Sequence, residues 1–222
     1  FVGGVYACGM SLKMMERFCY SINEKDLMDV VRPRQGLIGG ARIERMLRTL
    51  TGNRTFDQAR IPFAAVATEL ERGERFVFQE GPIWEGVRAS ISIPGIFVPF
   101  HTGGHTYVDG GVVDRVPIAA ARELGADFVI GVDVGYRGGE SPCDDLFKII
   151  LHSMEIMEWQ VMQRRVGEGD FVLAPSLLEI NPASMAQAET CIRIGREEMQ
   201  RRLPELQEAI EKKKAELAAR QE

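Results

Sequence analysis

The stretch Tyr107-Val108-Asp109-Gly110-Gly111-Val112-Val113-Asp114-Arg115-Val116-Pro117 constrains this chain more than any other. Asp109 closes a short β-type run, Thr106-Tyr107-Val108, and two glycines follow directly. Glycine tolerates φ > 0 and lets other groups approach closely. An aspartate placed before Gly110 and Gly111 can therefore sit in a tight turn with its carboxylate along the backbone. Helix formers come next, from Pro117 through Ala119, Ala120, Ala121 and Leu124. The stretch predicts a carboxylate held at a strand-to-loop junction and backed by a helix. Catalytic groups of α/β proteins are often presented from such junctions. The same residues also read as a plain Asp-Gly turn closing a hairpin, so the rest of the chain has to separate the two readings.

At 222 residues the chain fits one domain large enough for a real core. Its 27 Lys and Arg against 32 Asp and Glu give a formal charge of −5. That leaves no basic excess to neutralise phosphates and argues against nucleic acid as a partner. No apolar run is long enough to span a bilayer. Cys8, Cys19, Cys143 and Cys191 are scattered and form no C-x-x-C pair, which speaks against a zinc cage. Scattered cysteines in a chain of this length read as reduced thiols, and a cytoplasmic location is expected. His101, His105 and His152 show no metal-ligand spacing on one helix, so no metal is expected. The opening run Phe1-Val2-Gly3-Gly4-Val5-Tyr6-Ala7 reads as the interior of a buried helix, and the expectation is that the natural chain begins earlier.

Taken in order, residues 1–18 read as one helix packed on a sheet. Gly3, Gly4 and Ala7 allow close approach, and Met10, Met14 and Met15 supply adaptable apolar bulk, as core filler or as a surface suited to acyl chains. A short amphipathic helix is expected over 23–31. A second is expected over 40–49, with Ile43, Met46, Leu47 and Leu50 on one face. Phe56 reads as an isolated apolar residue tucked against the core. The run 61–68 reads as a buried strand and 75–78 as a strand beside it, with a turn at 71–74 between them. A helix follows over 82–89, then a corner at Pro94-Gly95 and an apolar segment leading into a loop at 101–105. The run 128–134 reads as a buried strand of a strand-helix-strand unit. Residues 136–143 form a Gly-rich loop, a lid or a surface connection. Long helices are expected over 145–165 and from Ser184, as N-cap, to 202. Pro204 is expected to interrupt, leaving 205–222 as a charged, solvated tail helix.

In this order and spacing the chain resembles the bacterial patatin-like phospholipases. The matching pieces are Gly36-Leu37-Ile38-Gly39-Gly40 before a helix, Ile61-Pro62 opening the strand that ends in Ala67-Thr68, and Glu71-Arg72-Gly73-Glu74. Further along come Arg88-Ala89-Ser90-Ile91-Ser92-Ile93-Pro94-Gly95-Ile96-Phe97, Tyr107-Val108-Asp109-Gly110-Gly111 and Leu124-Gly125-Ala126-Asp127. The resemblance implies an α/β fold, three-layer α/β/α with a central mostly parallel sheet, over residues 1–222 as a single domain. It implies a Ser-Asp dyad without histidine, metal or cofactor, with Asp109 as the dyad aspartate and Gly110 and Gly111 supporting it. In that family the serine sits in a G-x-S-x-G elbow ahead of a helix that Phe1 to Ala7 matches, so the nucleophile and the oxyanion loop are expected upstream of Phe1. Ser11 and Ser141 lack the second elbow glycine. Ser90 and Ser92 lie where the family carries small polar residues without a catalytic role. Asp114-Arg115 departs from the neutral residue, often Asn, that the family places after the glycines; it reads as a local ion pair or as a change in how a headgroup meets the site.

The resemblance thus implies a serine lipid acyl hydrolase acting on lipid or acyl esters, with peripheral membrane contact compatible with such a substrate. A non-catalytic regulator on the same fold, binding acyl ligands or a partner protein, is the alternative, since folds are reused without their chemistry. A nucleotide-binding domain is a third reading, prompted by 125–135, but the chain has no G-x-G-x-x-G or G-x-x-x-x-G-K-[ST] stretch.

Overall fold

The junction at Asp109 is built on an antiparallel sheet. In the computed structural model, which describes residues 1–32, 35–135, 144–163, 169–178, 180 and 185–220, the chain forms two compact units. One rests on Phe1–Asp114, the other on Arg115–Asn181 and Gln187–Glu222.

In the first unit the helices are α1 (Val2–Ala7), α2 (Leu12–Ser21), α3 (Glu24–Leu27), α4 (Ala41–Thr51), α5 (Ile83–Ser90) and the single turn α6 (Gly111–Asp114). The strands are β1 (Gly36–Ile38), β2 (Ala65–Glu69), β3 (Glu74–Phe78), β4 (Gly95–Phe97), β5 (Phe100–Thr102) and β6 (His105–Asp109). Four of them form one sheet in the order β3-β2-β6-β5, antiparallel throughout, while β1 and β4 pair in parallel. Ala65 and Ala67 leave space over β2, so Phe76 and Phe78 on one side reach Tyr107 on the other, with ring centroids 4.9–5.0 Å apart. Helix α5 covers this face. Ile83, Trp84 and Val87 join Ala65, Ala67 and Tyr107 in one core, which also takes in Ile43 and Leu47 of α4 and Phe56.

The expected helix over 1–18 is two helices. Gly9 takes φ +100, and Ser11 restarts the chain as an N-cap whose Oγ accepts from Met14 N at 3.3 Å. That capping role explains Ser11 without chemistry. The helix expected over 23–31 shrinks to the one turn of α3, because Val30 bridges to Ile38 instead. The strand expected over 61–68 starts only at Ala65, and Ile61 stays exposed. The expected loop at 101–105 is the tight β5–β6 hairpin through Gly103 and Gly104, both at positive φ.

In the second unit α7 (Ile118–Glu123) leads into β7 (Ile130–Val132), which pairs in parallel with β8 (Phe171–Leu173). The run expected to be buried over 128–134 is buried on one side only. Val129, Gly131 and Asp133 are enclosed, while Ile130 and Val132 are about half exposed at 48% and 50%. An apolar run reports what a strand is able to bury, not what covers it. Helix α8 spans Leu146–Gln163. The apolar positions that its sequence offers, Ile149, Ile150, Met154, Met157 and Val161, are exposed apart from the half-buried Met154, and Met162, packed with Trp159, provides the buried contact.

Helix α9 (Ala188–Ala219) runs through Pro204 without a break, so 205–219 continues one helix rather than forming a separate tail. Leu206 is buried with Phe171 and Leu173, and Met199 and Ile210 join them. Packing on both sides of the proline holds the helix together across the missing N–H. The loop over 136–143 and the expected N-cap Ser184 lie outside the described residues.

Candidate active site around Asp109

Asp109 is the last residue of β6, paired with Ala67 of β2. Directly opposed residues of an antiparallel pair share a face, so Asp109 lies on the side that Ala67, Tyr107 and α5 enclose. Its backbone is held at both ends. The N–H donates to the Ser92 carbonyl at 3.0 Å, and the carbonyl accepts from Thr68 Oγ1 at 2.9 Å. The carboxyl is held too, since Gly111 N donates to Asp109 Oδ1 at 2.7 Å. The stretch closes no hairpin, because β6 passes directly into α6. An Asx turn orients the carboxyl, and it does so at the mouth of a strand.

Gly110 is required by close approach. A Cβ there would stand 2.4 Å from the Val66 carbonyl oxygen, so the chain can pass β2 at this point only without a side chain. Gly111 opens α6 and supplies the N–H described above.

Burial raises the Asp109 carboxyl above its ordinary value, and the Gly111 hydrogen bond acts against that rise. A charge placed at the nitrogen of Phe1 and one on the Asp109 carboxyl would act on each other. Asp109 and the N-terminal end of α1 are thus near each other. Helix α1 is brought there by its small residues: a Cβ on Gly4 would lie 2.8 Å from the Val87 side chain of α5. Phe1 stacks on Phe18 and packs against the core.

Asp114 and Arg115 each hold a buried or part-buried partner from elsewhere in the chain. Asp114, buried, accepts from Arg75 Nη1 of β3 at 3.2 Å. Arg115 binds the fully buried Asp133 at 2.9 Å through Nη2 and 3.2 Å through Nε. Of the other serines, Ser92 is wholly buried and bonded to Arg88.

Two features were not read from the sequence. One is the buried Arg88, which lies inside the quoted Arg88-to-Phe97 motif but carries no local sign of burial. The other is the grouping of Glu69, Glu71 and His105, whose ligand atoms lie within 4.8 Å of one another. Each of these carboxylates already has protein partners. Glu69 meets His105 Nδ1 at 2.9 Å and Arg72 Nε at 3.5 Å, and Glu71 accepts from Thr106 N at 3.1 Å. Sequence distance hides the grouping, since β2 and β6 meet only in the folded sheet.

The chain is thus an α/β protein that holds an oriented, partly buried aspartate at a strand end. The family model described as patatin-like phospholipase matches residues 1–122, and the chain belongs to that family. Its fold is accordingly the patatin α/β fold expected from the sequence. The parallel pairs are β1–β4 and β7–β8, and the sheet around Asp109 is antiparallel. An uncharacterised NTE family protein of Mycobacterium tuberculosis is 35% identical over 136 residues, 60% of this chain and 38% of that protein. Patatin-like phospholipase domain-containing protein 7 of Rattus norvegicus is 30% identical over 115 residues, 51% of this chain and 8% of that protein. Lysophospholipase NTE1 of Debaryomyces hansenii is 26% identical over 148 residues, 64% of this chain and 10% of that protein. The match thus spans well under half the length of these relatives. No helix among the described residues is long and apolar enough to cross a membrane.

Proposed function

We propose that residues 1–222 belong to a serine lipid acyl hydrolase that works through a Ser-Asp dyad, with Asp109 as the aspartate and the serine upstream of Phe1. The observation that carries this reading is the Asp109 carboxyl. It is fixed by Gly111, raised by burial and near the start of α1, where the resemblance puts the end of a nucleophile elbow. A serine hydroxyl is a weak nucleophile until a base lies within hydrogen-bond reach. As the serine oxygen attacks the ester carbonyl, Asp109 accepts the hydroxyl proton and then gives it to the departing alcohol oxygen. This leaves an acyl-enzyme. Asp109 next takes a proton from water, the hydroxide oxygen bonds to the acyl carbon, and the proton returns to the serine as the fatty acid leaves. This sequence calls for no metal and no cofactor.

The substrate class is a lipid or acyl ester, in line with family membership and with the relative named a lysophospholipase. Peripheral contact with a lipid surface follows from such a substrate. The free thiols Cys8, Cys19 and Cys191 support a cytoplasmic location. The reading of 1–222 as one patatin-like domain belongs to the same proposal.

The test compares the full-length natural protein with its Asp109→Asn variant on short-chain nitrophenyl esters and on lysophospholipid. Loss of a general base costs on the order of 10²–10⁴-fold, so turnover should fall by that much while the fold survives. Equal turnover by both proteins removes Asp109 from the mechanism. No turnover by the natural protein, with acyl ligands still bound, would favour the non-catalytic regulator. Residues 1–222 alone should bind but not turn over ester, because serine and oxyanion donors are expected upstream.

A further inference from the structure

Arg88 is a charged side chain buried to 1% exposure in the first unit. It sits at the end of α5 and reaches three segments. Nη1 donates to Ser92 Oγ, and Nη2 donates to the carbonyls of Gly39 at 3.2 Å and Val98 at 3.0 Å. Nε has no hydrogen-bond partner and lies 3.4 Å from Glu44 Oε1 of α4. Gly40 closes over the guanidinium so tightly that a Cβ there would stand 2.2 Å from Nη2. Gly40 in turn is fixed by Asp29, whose two carboxylate oxygens accept from Gly40 N and Ala41 N at 2.9 Å each. A buried charge with an unsatisfied N–H is costly, and a well-packed apolar side chain would fill the same space at less cost. Burial pulls the guanidinium below its usual value, and Glu44 and Asp29 restore only part of it. The position thus trades stability for defined geometry.

That geometry ends at Asp109. Ser92 is wholly buried and locked to Arg88 in both directions, since its Oγ also donates to the Arg88 carbonyl at 2.7 Å. Its own carbonyl is the acceptor for Asp109 N. We infer that Arg88 is a positioning residue for Asp109: by gripping Ser92 it fixes the backbone anchor that sets where the carboxyl stands at the end of β6. This deepens the proposed function and rests on it. Without the grip, the corner after α5 is free to move, the strand end follows, and water reaches the carboxyl.

The experiment uses the full-length protein with Arg88→Met, Arg88→Lys and Ser92→Ala. Two readouts are taken: the pH profile of kcat/KM on a nitrophenyl ester, and the titration of the Asp109 carboxyl carbon by NMR, assigned with Asp109→Asn. For a displaced catalytic group the expected loss in kcat is about tenfold to a hundredfold in Arg88→Met, with KM changed by less than about twofold. The Asp109 midpoint should move toward the ordinary carboxylate range in both readouts. Arg88→Lys should recover part of the shift, and Ser92→Ala, which keeps the carbonyl and loses the grip, should show a smaller shift in the same direction. A midpoint unmoved in Arg88→Lys and Ser92→Ala, with rate losses that merely follow melting temperature, overturns the inference, and it does so even if Arg88→Met fails to fold. If the natural protein hydrolyses no ester, the proposed function fails, while the NMR midpoints still decide whether Arg88 positions Asp109.

Discussion

Gly111 N donates to Asp109 Oδ1 at 2.7 Å, so the residue two places after the aspartate decides how its carboxyl points. A hydrogen bond to the charged form pulls a carboxyl down, while burial pushes it up, and at Asp109 burial is the larger effect. The outcome is an oriented carboxyl that holds its proton more tightly than an exposed aspartate does, which suits the proposed role of Asp109 as a base. That is what a general base working near neutral pH requires.

The sign of this shift gives a stability prediction. Because the folded state raises the Asp109 pKa, its contribution to stability is fully present below the unfolded value. It is lost as pH rises through the folded value. Asp109→Asn should therefore gain stability relative to the natural protein as pH rises from the ordinary carboxylate range through neutral, and gain none at lower pH. Melting temperatures of the two proteins across pH 3–8, on the order of the usual stability range, would show this. A constant difference at every pH would contradict it. The same titration should appear in catalysis, with kcat/KM rising as Asp109 loses its proton.

Gly110→Ala should be destructive. The added Cβ meets the Val66 carbonyl oxygen at 2.4 Å, and backbone on both sides of the contact has little freedom to yield. Overpacking of this kind costs about 1–3 kcal/mol, and here the displaced element carries Asp109. Chemical denaturation should show the loss, with ester turnover falling further than the unfolded fraction accounts for. Unchanged stability would mean that β6 and β2 can separate without penalty.

The sequence was legible where the determinants are local. Asp109-Gly110-Gly111 announced an oriented carboxylate because turn chemistry is written in adjacent residues, and the α4 pattern placed Ile43 and Leu47 in the core for the same reason. It was illegible where the outcome depends on what packs above. Ile130 and Val132 looked buried because they are apolar, yet nothing in their own stretch specifies a cover. Arg88 carries no local mark of burial, since arginine on a short helix is ordinarily solvated, and only the fold shows Gly40 and Ser92 closed around it. Pro204 read as a stop because proline breaks isolated helices. The packing of Leu206 against Phe171 and Leu173 overrode that local preference.

Arg115, the second residue of the departure at Asp114-Arg115, anchors Asp133, and that anchor has a measurable weight. Asp133 is fully enclosed, and Arg115 donates to it twice, while Gly135 N adds a bond at 3.1 Å. Removing one partner of a buried pair leaves a charge without compensation, at a cost of about 3–5 kcal/mol. Arg115→Met should therefore lower stability by roughly that amount, and Asp133→Asn combined with Arg115→Met should recover part of it. Equal losses in the single and double variants would mean that the pair acts through something other than its charges.

Pro204 offers a test in the opposite direction. Within α9 it supplies no N–H to the carbonyl of Gln200, and its ring crowds that same carbonyl. The position is exposed, so a replacement side chain meets solvent rather than core. Part of the helix penalty of proline is offset, because proline also restricts the unfolded chain. Pro204→Ala should still stabilise, by about 1–2 kcal/mol out of the roughly 3 kcal/mol that separates the two residues in a helix interior. Hydrogen exchange should show the largest gain in protection within one turn of residue 204, extending toward Leu206. A loss of stability would mean that Pro204 helps Leu206 and Met199 to reach β8 together.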